Sequence, residues 1–516
     1  MQRLFITALA CVCKLSLLAQ PEIFNSGLPI ITINTNKQSI VDEPRITCHM
    51  GIISNSIGDN YITDSYNNYN GNISIEIRGT ASQLFPKKSY SFETQDIDGS
   101  NLNTSLLGLP IENDWILYGP YYDKSLIRNS LTYNLWENMG HYATRNKFCE
   151  LFINSEYKGI YLLVEKIKRD VNRINITESN DDDVSGGYII KIDHMNISGN
   201  NISNGEYWPS EYLSIGGDSI YYQFYYPKSD EITSPQKVYL INYIKEFETN
   251  LHSYSFNDLL VGYDNYLDIT AAIDFFLIQE FTKNIDAYRA STFIYKDVIT
   301  LNNRLVFGPV WDFNYSYGST TYCEGDQYSG WQNNTTCGQA NPVWFERLLE
   351  DSLFTNKMHC RWNELRETTL SEDAIFYSID SLSNLLNESI VKNLNVWNNN
   401  LTIVDYYNEI DYLKTWITNR LAWLDINMKG SCVLGELEPP SVLIYPNPAS
   451  NSLTIDLGDL TGLNTTIKIY DSSSKLVFEK QSTSTLIIDV SVYAKGLYNL
   501  ELSTSDKVLR SQVVIE

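Results

Sequence analysis

The chain lacks the short signatures that identify several enzyme classes. It has no G-x-S-x-G elbow, no H-E-x-x-H, no G-x-G-x-x-G and no Gly-Lys dipeptide, which also removes the Walker A loop. Histidine is scarce: the five residues at 49, 141, 194, 252 and 359 are scattered, so the usual ligand clusters of a zinc site are missing. Positive charge is short as well, with 38 Lys and Arg against 62 Asp and Glu, a net charge of -24. A nucleic-acid binder draws much of its affinity from neutralised phosphates, so this balance argues against that class and against a general attraction to anionic membranes. No stretch beyond the N-terminus approaches 18 uninterrupted apolar residues, so no transmembrane span is expected.

What is present suits an exported protein with real cores. The length of 516 residues suggests three domains, or two if one is large. Hydrophobic residues make up 43% and aromatic residues 13%. Residues 1–19 read as a signal peptide: Arg3 supplies the positive start, Leu4–Val12 the apolar run and Leu17/Ala19 a cleavage pattern, with Lys14 an interruption. Cys11 and Cys13 leave with that segment. Cys48, Cys149, Cys323, Cys337, Cys360 and Cys432 remain, an even number compatible with disulfides. Cys323 and Cys337 flank the polar insertion EGDQYSGWQNNTT, so a staple across that loop is expected.

Along the chain, strands come first and helices last, which predicts an α+β fold. Asn72–Arg78 (NISIEIR) and Lys88–Phe92 alternate as strands on either side of the Gly79–Ser82 break. Asp123 is placed to cap a helix carrying Ile127, Leu131, Leu135 and Met139, with Gly140 just beyond it. Phe148–Asn154 and Lys158–Val164 form a hairpin, and Gly187–Asp193 a further strand, while Asn180–Asp183 is a solvated loop. Gln236–Leu251 and Asp268–Lys283 have helical period. Ser291–Lys296 and Arg304–Trp311 pair as a hairpin, and residues from Asn341 to about Asn427 are mostly helical. After Cys432 the composition shifts. Residues 433–441 read as a linker, and 442–516 as short strands of a small β-sandwich.

The chemistry concentrates in FFLIQEFTKNIDAYRASTFIYKDVITLNNRLVFGPVWDFNYSYG, residues 275–318. A helix delivers Asn284 and Asp286, a hairpin follows, and its second strand is expected to end at Trp311-Asp312-Phe313. Two carboxylates at the mouth of one hairpin can face a common cleft. The order is that of a protein-kinase site, where an Asp orients the attacking hydroxyl and a later Asp before Phe holds the metal. An Asp at a strand end is, by itself, more often a turn or cap residue.

Those stretches, together with IRGTASQLFPKKSYSFE, NDWILYGPYYDKSLIRNSLTYNLWENMG, CELFINSEYKGIYLLVEKIKRD and GGYIIKID, resemble the CotH kinase family, the spore-coat-protein-H-like atypical protein kinases. The likeness runs from about Leu28 to Met428. It implies a divergent protein-kinase-like domain over 20–432 that uses ATP and Mg²⁺ (or Mn²⁺) to phosphorylate Ser residues of an exported protein. It implies Asp286 as the catalytic carboxylate and Asp312 as the metal ligand, with Asn314 adding a second oxygen. Arg78 with Gly79 is then the phosphate-covering turn. Either Lys87 or Lys88 reaches the phosphates, and only one of them, because their side chains leave a strand on opposite faces; Lys88 is preferred. Arg128 orients a Lys or phosphate, or makes a surface ion pair. Glu165 frames adenine or pairs with a Lys. One departure stands out: family members often carry an Asn shortly after the catalytic Asp, whereas here the stretch reads Arg289-Ala290-Ser291-Thr292, leaving Ser291 or Arg289 to compensate.

YPNPASNSLTID, IKIYDSSSKLVFEK and GLYNLEL resemble the type A sorting domain of type IX secretion in Bacteroidetes-type bacteria. The likeness implies an immunoglobulin-like β-sandwich, the type IX secretion machinery as a partner, and a secreted or cell-surface location. Two other classes stay open: a catalytically inactive kinase-like scaffold, and a surface adhesin or carbohydrate binder suggested by the many Tyr and Trp.

Overall fold

Alternating apolar residues fold the first third of the chain into a closed barrel. The computed structural model describes residues 23–79, 81–193, 205–258, 261–338, 341–397, 401–432, 442–471, 475–504 and 508–515. The expected signal segment 1–19, the linker 433–441 and His194 lie outside the described residues. The barrel strands are β1 (Ile30–Asn34), β2 (Ile46–Ile53), β3 (Tyr69–Arg78), β4 (Ser89–Gln95), β5 (Asp114–Tyr118), β6 (Asn146–Ile153) and β7 (Glu156–Glu165). Their order is β1-β2-β3-β4-β5-β7-β6, closed by parallel pairing of β1 with β6. Ile33, Ile73, Ile75, Phe92, Trp115, Leu117 and Leu163 share the barrel core. Their strand neighbours Ile116, Leu162 and Val164 belong to the larger core formed with the helices. The expected strands at 72–78, 88–92, 148–154 and 158–164 are present within a few residues.

Helix α1 (Arg128–Asn138) lies against the barrel. Its N-cap position is Ile127, without a side-chain cap, and not the expected Asp123; the Asp123 carboxylate four residues earlier still accepts from the backbone N–H of Arg128 at 2.9 Å and of Ser125 at 3.0 Å. Ile127, Leu131, Leu135 and Met139 are buried, and Gly140 turns the chain away at φ 102°.

A second, antiparallel sheet comprises β8 (Tyr188–Ile192), β9 (Tyr207–Leu213), β10 (Ser219–Tyr226), β11 (Thr292–Lys296) and β12 (Val306–Phe307), ordered β9-β10-β8-β11-β12. Helix α2 (Ser234–His252) starts with a Thr233/Gln236 capping box, and α3 (Ile269–Thr282) with the Asp268 carboxylate on the Ala271 N–H. Helix α3 is buried on every side from Ala271 to Thr282, as a central helix must be. The hairpin after it is shorter than expected. Its second strand is only Val306–Phe307, because Gly308 adopts φ 115° and the next residue, Pro309, has no N–H to continue a ladder. Asp312 therefore sits in a loop, not at a strand end.

Helices α4 (Trp344–Leu348), α5 (Ser352–Glu367), α6 (Glu372–Val396) and α7 (Ile403–Asn427) complete this α+β unit. A disulfide from Cys360 to Cys432 closes it, and Cys48 and Cys149 are free and buried. The C-terminal segment has β13 (Leu443–Tyr445), β14 (Ser452–Asp456), β15 (Thr465–Tyr470), β16 (Leu476–Ser482), β17 (Leu486–Asp489), β18 (Gly496–Ser503) and β19 (Val508–Ile515). They form two sheets, β13-β14-β17 and β16-β15-β18-β19, around a core of their own that includes Leu453, Ile455, Ile467, Ile469, Leu500 and Val513.

Candidate active site

Where the barrel, α1 and the second sheet meet, a cavity of about 440 Å³ opens. The barrel contributes Arg78, the last residue of β3, followed by Gly79 at φ 102°. A Cβ at Gly79 would stand 1.9 Å from the Ser82 hydroxyl, so the turn that carries Arg78 requires glycine. Helix α1 contributes Asn129 and Tyr133. The end of β8 contributes Lys191 and Asp193. The loop after α3 contributes Asp286 and Ser291, and the loop after β12 contributes Trp311, Asp312 and Asn314.

Asp286 is held from both sides. Helix α3 stops because Lys283 turns left-handed, φ 43°. The Lys283 ammonium then donates to the carbonyls of Glu324, Gln327 and Ser329 at 2.9, 3.0 and 2.8 Å. One turn earlier the buried Glu280 carboxylate accepts from the backbone N–H groups of Gln332 and Asn333, both at 2.7 Å, and from Tyr288 at 3.0 Å, beside the Arg420 guanidinium. Gln332 donates to the Ile285 carbonyl at 3.1 Å, and Arg289 donates to the Ile285 and Cys337 carbonyls. The insertion that receives these bonds is stapled by Cys323–Cys337, as the sequence suggests. It brackets the Asp286 loop.

Asp312 is fixed by α1. Its backbone N–H donates to the Tyr133 hydroxyl at 3.3 Å, and the N–H of Phe313 donates to Asn129 Oδ1 at 2.6 Å. Further along, Arg128 donates to the Ser316 carbonyl at 3.0 Å while paired with Asp123 at 2.6 Å and Glu409 at 2.7 Å. Lys283, Tyr288, Ser291, Asp312 and Tyr317 all have left-handed φ between 43° and 68°, a clustering of costly conformations that marks functional loops. Trp311 stacks on Tyr133 (centroids 5.7 Å apart, 15° between planes) and carries the Arg78 guanidinium 5.5 Å from its ring. The Asp312 carboxyl is pushed up to about 6, by desolvation first and by the Asp286 charge second, with Arg78 pulling the other way.

Of the residues expected at the site, Asp286, Asp312, Asn314 and Arg78 line one cleft. The other four do not line it. Lys87 is buried, donating to Asn393 Oδ1 at 3.0 Å over the Tyr161 ring, and burial lowers its pKa to about 7. Lys88 donates to the Gln83 carbonyl at 2.5 Å. Glu165 is fully buried, paired with Arg145 at 2.9 Å and bonded by the Tyr142 hydroxyl at 3.1 Å. Arg128 is the internal clamp just described, not a surface pair. Of the two residues left to compensate for the missing Asn, Ser291 is in the cleft and Arg289 is turned into the insertion. Sequence reasoning missed Lys191, Asp193, Asn129 and Tyr133. For the first two there was a signal: Lys191 and Asp193 interrupt and end the otherwise apolar run YIIKID, and they form an ion pair at the cleft wall.

The donor set fits a hard divalent cation. Asp312 offers an anionic oxygen, and Asn314 Oδ1 is buried with no hydrogen-bond partner among the described residues. Among the described residues, no three Asp, Glu, His or Cys side chains form a ready-made cage. Mg²⁺ typically keeps waters and takes the rest of its shell from one or two carboxylates and substrate phosphates, and Asp312 with Asn314 would supply the protein's share.

Residues 75–424 match the profile of the CotH kinase protein family, so the chain belongs to that family. Residues 443–516 match the secretion system C-terminal sorting domain, which marks the protein as one delivered by type IX secretion to the cell surface or beyond it. No helix among the described residues is long and apolar enough to cross a membrane. None of the curated proteins matches the chain. A solved structure described as a DUF3244 family protein with an immunoglobulin-like beta-sandwich fold, from Bacteroides vulgatus, aligns at 17% identity over 14% of this chain and 84% of its own, with a TM-score of 0.13.

Proposed function

We propose that this CotH-family chain is a metal-dependent protein kinase, secreted or surface-attached, that moves the terminal phosphoryl group of ATP to Ser residues of an exported protein. The observation that supports the reading best is the meeting of Asp286, Asp312 and Asn314 in one cleft with Arg78 and Lys191. Phosphoryl transfer needs positioning and charge neutralisation more than covalent chemistry. Asp312 and Asn314 would hold Mg²⁺, which supplies charge neutralisation to the phosphates. Arg78 and Lys191 bring positive charge to the same oxygens. Asp286 accepts a hydrogen bond from the acceptor hydroxyl, orients it and takes its proton as the new P–O bond forms. The protein-kinase-like fold and the immunoglobulin-like sandwich are part of this reading, supported by the element order and by the two-sheet C-terminal unit.

Transfer of labelled phosphate from Mg·ATP to a Ser-rich peptide tests the reading. Asp286→Asn should keep nucleotide binding and lose about 10²–10⁴-fold in rate. Binding without any transfer by wild type would favour the inactive scaffold instead. Glycan binding indifferent to Asp286→Asn and to Asp312→Asn would favour the adhesin.

A further inference from the structure

Asn129 lies in the first turn of α1 and is only 5% exposed, yet it lines the cleft. Its Oδ1 accepts the Phe313 N–H at 2.6 Å. A backbone N–H can only donate, so the oxygen end of the amide must face Phe313, and the orientation of the whole side chain follows. Among the described residues, its Nδ2 group, with two N–H donors, has no hydrogen-bond acceptor, and the residue lines the cleft. A donor in the cleft wall that no protein acceptor occupies is open to an acceptor that a ligand supplies. Asn129 shares the cavity with two cations, Arg78 and Lys191, which come from different elements. Donors converging from three directions call for an acceptor-rich anion.

We propose that Asn129 is a ligand-binding residue whose Nδ2 donates to a phosphoryl oxygen of the nucleotide, while its Oδ1 ties that contact to the Phe313 backbone next to Asp312. The inference rests on the kinase reading above and adds a residue to it. The phosphate and the metal-holding loop then share one rigid amide, so α1 has a direct part in ligand binding besides packing.

Asn129→Asp separates the two tasks. At pH 8 the carboxylate still accepts from Phe313 but offers no donor. In the full chain, magnesium pyrophosphate and Mg·ADP should bind the variant about tenfold more weakly or worse by isothermal titration. Mn²⁺ alone should bind at least as well as to wild type, which also shows that the variant is folded. Asn129→Leu removes both bonds and should lower the melting temperature as well. If Asn129→Asp binds both phosphate probes as tightly as wild type, the residue only positions Phe313 and the inference is overturned while the kinase reading stands. Wild type that binds neither probe overturns both.

Discussion

Asp312 and Asp286 line one cleft, and the charge of Asp286 bears on the proton affinity of Asp312. Its carboxyl is raised to about 6, by desolvation first and by the Asp286 charge second. A bound divalent cation inverts that situation, since it favours the ionised form. Metal uptake should therefore release a proton near pH 6, and metal affinity should fall as pH drops below it. Titrations in buffers of different ionisation enthalpy check this. Affinity flat from pH 5 to pH 8 would count against Asp312 as a ligand.

The same shift sets a stability trend in the metal-free protein. The folded state holds the Asp312 proton more tightly than the unfolded chain, so this group's contribution is present below about pH 4 and lost as pH rises through about 6. Asp312→Asn should stabilise the metal-free protein at pH 8, by on the order of 1–3 kcal/mol, and do little at pH 4. Thermal melts across pH, with chelator present, measure it. A turn residue without such a role would instead lose stability on substitution at every pH.

Arg78 and Lys191 are the cations at the cleft, and Lys88 is occupied with the Gln83 carbonyl. Arg78→Met and Lys191→Met should each weaken Mg·ATP binding by about 10–100-fold, whereas Lys88→Met should leave it unchanged. Binding measured at two salt concentrations adds a check, because each lost cation should flatten the salt dependence.

Much of this site was legible in the sequence, and the misses share a cause. Asp286 and Asp312 were readable because one helix and one hairpin deliver them, within a single local stretch. The Cys323–Cys337 staple was readable because it closes a short polar loop. Lys87 was not, because its fate is decided by Asn393, 306 residues away on α6. Barrel closure was hidden for the same reason: β1 pairs with β6, joining Ile30 to Glu150. Strand alternation gives the two faces of a strand but not which face meets a helix from the far end of the chain. Glu165 looked like a cleft residue at a strand end, and Arg145 with Tyr142 draws it inside instead.

The bracket around Asp286 depends on the buried Arg420–Glu280 pair. Arg420→Met leaves the Glu280 carboxylate without its counter-ion and removes donors to the Tyr328 and Gly330 carbonyls. The cost should be about 3–5 kcal/mol, with phosphotransfer lowered beyond the loss of folded protein. Burial already raises the Glu280 pKa, and Arg420 opposes that rise. Without Arg420 the carboxyl protonates more readily, so the penalty should shrink as pH falls. Urea denaturation at pH 5 and pH 8 gives the comparison.

The C-terminal sorting domain has its own apolar core. Removing residues 442–516 should leave the remaining unit folded, with both disulfides, but retained in the periplasm. Fractionation of cells expressing the shortened chain checks this, and normal surface delivery would contradict it.

The most direct measurement is calorimetric titration of Mg·ATP into wild type and Asp312→Asn at pH 7.5. The account predicts wild-type binding that disappears with chelator and is weakened about tenfold or more by the substitution, which removes one hard anionic ligand. Equal affinity in the two proteins, or no nucleotide binding by wild type, would contradict it.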